Sequence, residues 1–253
     1  MRVRGSRKFA AGTALAGALL CVPALAADSS IRLDDRWQSH PLRDRVFFFA
    51  GADVASDSAY GWSGVVASPL GLLDEDGWRV RVAGGAGRYR YTTGNVAGGV
   101  NEASIMSGEL MAGYRFSSGS GSVTLYAGAH VENKNLAAPD PGHPAQGTEA
   151  GIKVAAEFYR RFTPNLFALA SASASSVHDS YQVRAALAYE ISATVAFGAE
   201  AAINSDERYD ESRAGLLVQT TFGRTSFSFS GGILSNSDKG DGLYGTLSVY
   251  AVY

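Results

Sequence analysis

Cysteine is almost missing from this chain: Cys21 is the only one among 253 residues. A lone thiol excludes a disulfide framework and a cysteine-clustered metal site. Proline is scarce at 7 residues, and only 18% of the chain is charged. No segment combines a 3.6-residue apolar period with caps, which excludes a helical fold. Beyond the first 26 residues no apolar run is long enough for a spanning helix. A basic patch of the sort that binds nucleic acid is absent as well, so no nucleic-acid partner is expected. What the chain does have is 30 glycines and 46% hydrophobic residues, dispersed rather than gathered into runs.

The first residues form a separate unit. Arg2, Arg4, Arg7 and Lys8 precede the apolar stretch FAAGTALAGALLCVPALA, in which Ala24-Leu25-Ala26 supplies the small residues a signal peptidase needs. This pattern predicts an export signal over 1–26, cleaved after Ala26. Leu20 stands before Cys21 where a lipoprotein signal wants a small residue. Cleavage removes the thiol and four cations, leaving 18 basic residues against 24 acidic ones. Residues 27–44 carry mixed charge and no period, and are expected to be a flexible periplasmic segment that Trp37 and His40 could anchor.

From residue 45 to 253 the period becomes two. In EAGIKVAAEFYRR, Ala150, Ile152, Val154, Ala156 and Phe158 share one face, while Glu149, Lys153 and Glu157 share the other. The stretches SYQVRAALAYEIS, TSFSFSGGI, SGELMAGYRF and WRVRV repeat the pattern. About twelve such segments follow one another, near 45–55, 60–70, 77–91, 104–117, 122–134, 147–161, 165–176, 180–191, 194–204, 208–222, 225–235 and 242–253. The second and seventh are ambiguous in phase. Many reach the ~9–11 residues with which a tilted strand crosses a bilayer, and an even strand number suits a closed bacterial barrel. The expected fold is therefore all-β: a single antiparallel transmembrane β-barrel of about 12 strands, set in outer-membrane lipid. A soluble sandwich also alternates, but it would carry shorter strands and more charge on its polar face. Short connections such as FTPN and GR alternate with longer polar ones such as NKNLAAPDPGHPAQG and NSDERYD, which places the short set on the periplasmic side of a Gram-negative outer membrane.

The chain stops in a strand. Gly245, Leu247, Val249 and Tyr253 share alternating positions, resembling the C-terminal signal read by the barrel assembly machinery, with Tyr253 as an interfacial anchor.

Motifs for chemistry are weak. GGAGRYR at 84–90 lacks the third glycine of a dinucleotide loop, and is read as relief of crowding in a bent strand. NSDKGDG at 236–242 begins like a calcium loop, but its twelfth position is Leu247 rather than Glu. His178, Asp179 and Ser180 are consecutive, so in extended backbone they point to opposite faces and cannot form a relay. His143, between two prolines, is read as solvated, and His130 as facing the lumen beside Glu132. No catalytic, cofactor or metal residues are assigned. The expected lumen charges are Arg79, Arg81, Glu109, Arg115, Glu149, Lys153, Glu157, Arg184, Glu190, Glu200 and Arg213. They can brace the wall as cross-strand pairs or line a polar channel. Ser171, Ser173, Gly198, Ser226, Ser228 and Gly232 are expected to leave space between them. Tyr60, Trp62, Tyr89, Tyr91, Tyr181, Tyr209 and Tyr244 fall near strand ends, as an interfacial girdle or as a stacking surface for sugar rings.

Six ordered stretches resemble the cellulose biosynthesis protein BcsS family, found beside bacterial cellulose synthase genes. They are FAGADVASDSAYGWSGVV at 49–66, LDEDGWRVRVAGGAGRYRY at 73–91, SGELMAGYRF at 107–116, PDPGHPAQGTEAGIK at 139–153, ERYDESRAG at 207–215 and SDKGDGLYGTLS at 237–248. The resemblance implies a non-enzymatic outer-membrane barrel that assists cellulose biosynthesis, export or anchoring. It also implies cellulose and components of the cellulose synthase complex as partners. It supplies no catalytic residues. The competing expectations are a small-solute or oligosaccharide channel and, further off, a lipid-modifying barrel enzyme.

Overall fold

The computed structural model describes residues 44–143, 146–207 and 209–253. The expected export signal and the segment through Arg43 lie outside the described residues. Twelve strands follow in order: β1 (Val46–Ala55), β2 (Ser58–Ala67), β3 (Gly77–Thr92), β4 (Val100–Ser118), β5 (Gly121–Leu136), β6 (Gly147–Arg161), β7 (Leu166–Ser175), β8 (Ser180–Glu190), β9 (Val195–Ser205), β10 (Asp210–Phe222), β11 (Thr225–Asn236) and β12 (Gly240–Val252). Each pairs antiparallel with its sequence neighbours, and β1 pairs with β12, so the sheet is a closed barrel. Closure leaves no strand edge with unpaired N–H groups, the condition for a sheet to cross hydrocarbon. Tyr253 completes it: its carbonyl accepts from the N–H groups of Arg45 and Val46, and its N–H donates to the Val46 carbonyl.

The outer face is an apolar belt. Leu110, Ile152, Val154, Leu187, Phe197, Leu216, Phe229 and Leu247 all point outward and are exposed. A contiguous apolar surface of this extent has lipid as its natural partner. At the lower end, the end bearing the two-residue turns 119–120 and 223–224, the belt is edged with rings. Trp78 meets Tyr114 edge-on at 5.6 Å, Phe222 meets Phe227 at 6.4 Å, and Tyr253 meets Phe48 at 5.8 Å. This girdle is built from residues other than most of those expected in it. Tyr60, Trp62, Tyr89, Tyr91 and Tyr244 point inward and are buried. Of the seven aromatics named from the sequence, Tyr181 is the one that stands exposed on the outer face.

Connection lengths do not follow the expected asymmetry in the first half of the chain. The lower connection 68–76 is long, while the upper connection between β1 and β2 is only Ser56-Asp57. The asymmetry lies in the strands instead. β3, β4, β5 and β6 run for 16, 19, 16 and 15 residues, against 10 to 13 for the others. Residues read as loop, such as Asn133–Leu136 and Val100–Ala103, therefore continue the sheet. Above the lipid a strand no longer needs an apolar outer face. There Asn133 pairs with Thr148 across β5 and β6 and donates to its hydroxyl at 2.7 Å.

The inward glycines do not leave empty space. A Cβ on Gly51 would overlap the Trp62 ring, one on Gly85 the Tyr60 ring, and one on Gly198 the Leu187 carbonyl. Gly85 and Gly87 of GGAGRYR thus relieve crowding by seating the Tyr60 ring.

Candidate functional site

The barrel interior is layered. At the base Phe47, Phe49, Trp62, Val66, Tyr250 and Val252 form one buried cluster, with Phe47 stacked on Tyr250 at 6.0 Å. Tyr159, Phe167, Ala188, Ala196 and Leu217 form a second on the opposite wall. Segment 68–76 folds back against this base, and Leu73 packs onto the first cluster. Arg79 holds it there. Its buried guanidinium donates to the carbonyls of Leu72 (3.1 Å), Leu73 (2.9 Å) and Glu75 (2.6 Å) and to the Ser68 hydroxyl (3.0 Å).

Charge fills the middle layer. Arg81 donates from Nε to Glu109 at 2.6 Å and from a terminal nitrogen to Glu157 at 3.0 Å, and Lys153 reaches the other Glu109 oxygen at 2.7 Å. All four side chains are at most 6% exposed. On the opposite wall Arg213 bridges Asp53, at 2.7 and 3.2 Å, and Glu211, while its guanidinium lies 4.9 Å above the Tyr244 ring. Thr246 adds a 2.6 Å hydrogen bond to Asp53, and Tyr244 donates to Glu200, which pairs with Arg184. These charges alternate in sign across neighbouring strands, and each partner supports the next. Arg161 and Glu190 pair at the lower end at 2.7 Å, and Arg115 donates to Ser117 at 3.2 Å. Glu149 stands at the upper rim.

The upper layer is open and polar. His130, Glu132, Lys134, Lys153, Ser173, Gln182, Asn204, Asp206 and Tyr209 line a cavity of roughly 490 Å³, a volume that includes the solvent at its mouth. A neighbouring hollow lies between Tyr89, Asp57, Asn236 and Lys239, and Tyr209 stands between the two. Tyr89 and Tyr91 thus cluster with Tyr209 near the mouth, while Tyr60 and Trp62 stack on each other lower down at 6.3 Å.

Two loops close over this layer. Segment 137–143 turns inward, with Asp140 accepting from the Tyr91 hydroxyl at 3.2 Å and from Asn95 at 2.7 Å. Burial alone would raise the Asp140 pKa, but hydrogen bonds from Asn95, Thr93, Gly142 and Tyr91 outweigh it and hold the carboxyl below its usual range. His143, expected in solvent, is buried 4.9 Å from the Tyr91 ring.

The β7–β8 connection is a short turn, Val177–Asp179, in which His178 and Asp179 have φ of 54° and 44°. His178 packs inward: Nδ1 is 2.9 Å from Glu149 and Nε2 is 3.6 Å from Glu132. The Ser180 hydroxyl donates to the Val177 carbonyl at 3.0 Å, so the consecutive His-Asp-Ser is a turn and not a relay. NSDKGDG is likewise a turn, closed by the Asn236 side-chain carbonyl accepting from the N–H groups of Asp238 and Lys239.

Burial, and then the Lys134 ammonium, lower the His178 pKa despite its contact with Glu149. The folded protein thus keeps this imidazole neutral where an unfolded chain would begin to protonate it. Stability is expected to fall as pH drops below about 6.5, by at most about 1.4 kcal/mol per pH unit from this group. Asparagine tolerates the same backbone conformation and does not titrate. Unfolding midpoints at pH 7.5 and 5.5 should therefore differ less for His178→Asn than for the parent. Equal differences would remove His178 as a source of the pH dependence.

No curated protein matches the chain. Among solved structures, a TodX deltaS2S3 mutant monoaromatic hydrocarbon channel superposes with a TM-score of 0.52 at 8% identity, covering 83% of this chain and 91% of that one. The transport unit of the autotransporter AIDA-I from Escherichia coli does so with 0.50 at 10% identity, over 91% and 96%. A KdgM porin matches with 0.48 at 6% identity, over 82% and 99%. At these identities the likeness is one of fold, that of outer-membrane barrels. The sequence itself is more specific: residues 47–253 match the model of the cellulose biosynthesis protein BcsS, and the chain belongs to that family.

Proposed function

We propose that this barrel is a non-enzymatic outer-membrane accessory of cellulose biosynthesis that holds glucan at the cell surface and does not conduct it. Family membership supports the link to cellulose. The observation that carries the choice of anchoring over conduction is the filled interior. A layer of buried ion pairs lies above an aromatic base, and Arg79 pins segment 68–76 beneath it. A glucan strand needs a continuous path as wide as a sugar ring, whereas fixed side chains occupy both layers. In this reading the short turns face the periplasm, and segments 93–99 and 137–143 face the medium, where a secreted polymer arrives. Partners would be outer-membrane lipid, the barrel assembly machinery and cellulose itself.

Deletion of the gene in its native host tests the reading, with synthase abundance held under check. Cellulose should be made in normal amount but shift from the cell surface to the medium. Complete loss of cellulose would argue for conduction instead. An unchanged distribution would sink the anchoring role.

A further inference from the structure

The upper cavity holds several hydrogen-bonding groups that the protein itself leaves unused. His130 Nε2, Glu132 Oε2 and the Asn204 side-chain oxygen are buried without a hydrogen-bond partner, and all three residues line the same space. Their residues are only 3%, 1% and 5% exposed. Buried groups left in this state cost about 1–3 kcal/mol each, so a cavity that gathers three of them is matched to something that enters it.

The donor pattern narrows what that is. Ser175 Oγ accepts from the Val177 N–H at 3.1 Å and lies 2.9 Å from His130 Nδ1. Nδ1 is thereby engaged, and Nε2 is the ring nitrogen left facing the cavity. Glu132 and Asn204 offer acceptors. One hydroxyl donates a single proton, so two acceptors and an imidazole nitrogen call for several hydroxyls, each donating once and able to accept, as a polyol supplies them. Charge points the same way. Lys134 and Lys153 are balanced in the lining by Glu132 and Asp206, so neither a cationic nor an anionic ligand is favoured. On the rim, Tyr209 is fixed by donating to Glu211 at 2.8 Å and by its N–H to Asp206 at 3.0 Å, which holds its ring as a ready face.

We propose that this vestibule binds a segment of a neutral saccharide, with Glu132, Asn204 and His130 taking its hydroxyls and Tyr209 meeting a ring face. That the saccharide is a β-linked glucan rests on the functional reading above; that it is an uncharged polyol does not. The binding would be end-on and outward, because the Arg81 layer lies directly beneath.

Calorimetric titration of the mature, detergent-folded barrel with cellohexaose tests this, with maltohexaose and an oligogalacturonate as comparisons. Cellohexaose should bind and the anionic oligomer should not. Asn204→Ala should weaken binding about tenfold, the effect of one lost buried hydrogen bond. Ser173→Leu, which fills the cavity without removing any hydrogen bond described here, should abolish it. Heat-dependent gel mobility verifies that each variant is folded, and the parent titration stands even if a variant is not. No heat from any neutral saccharide up to about 10 mM, beyond the weak end of specific recognition, would overturn the site and leave water as its occupant. Equal binding of maltohexaose would uphold the polyol site and overturn its preference for the β linkage. Binding together with unaltered cellulose in the deletion strain would uphold the site and overturn the anchoring role. A cellulose defect without binding would do the reverse.

Discussion

Replacing Arg81 by alanine is expected to destabilise the barrel by about 3–5 kcal/mol, the cost of removing one partner from a buried ion pair. Arg81 is 1% exposed and serves two carboxylates. Without it Glu109 still has Lys153, but the buried Glu157 carboxyl loses its one ion-pair partner among the described residues. The loss should therefore trace to Glu157. The double variant Arg81→Met with Glu157→Gln leaves Glu109 and Lys153 as a balanced pair, and should recover more than half of the lost stability. Denaturant midpoints in detergent, with gel mobility as a second probe, measure both steps. A single variant as stable as the parent would mean that the network fills the lumen without bracing it. A double variant no better than the single would shift the burden from Glu157 to the packing of Arg81 over the Tyr126 ring, 5.5 Å away.

The second large effect concerns conductance. In a planar bilayer the parent barrel should stay near background, because Phe47, Tyr250 and Leu73 close its base. Cutting Phe47 and Tyr250 to alanine removes the stacked pair. Adding Arg79→Ala releases segment 68–76 from its three carbonyl contacts. The triple variant should show current steps at least about tenfold above background, carried through the polar gaps between ion pairs. Resolved steps from the parent protein would sink the closed-base description. A folded but silent triple variant would move the seal up to the Arg81 layer.

Strand number and most strand phases were legible in the sequence because lipid imposes one rule on every outer face. Ile152, Val154 and Phe158 alternate with Lys153 and Glu157, and that alternation suffices to orient β6. The rule fails where the inner face is apolar too. In β2 the aromatics Tyr60 and Trp62 point inward, while Gly61 and Ser63 take the outside. In β7 Phe167 points in and alanines face out. Both strands help to build the packed interior, so both faces carry small or apolar residues and the period loses its sign. The girdle was misjudged for the same reason. Trp78, Tyr114 and Phe116 lie on the apolar face at strand ends, whereas most aromatics next to the polar loops turn into the packed interior. The inward course of segment 137–143 had no sequence signal, since a proline-rich polar segment is usually surface. The vestibule was only partly visible. His130 and Glu132 share a face in one strand, but Asn204 joins them from β9, and no periodicity relates residues across a barrel.

The four long strands that rise above the lipid have a mechanical consequence. A pull applied to their upper ends along the strand direction loads the ladders lengthwise. It would have to slide whole ladders at once, since β3 and β4 share pairs from Gly77–Arg115 to Thr92–Val100. A pull across the wall would instead open those pairs one after another, each at the small net strength of a single hydrogen bond. The tall side of the barrel is thus loaded in shear by anything that tugs its upper ends along the strands, and resists as a unit.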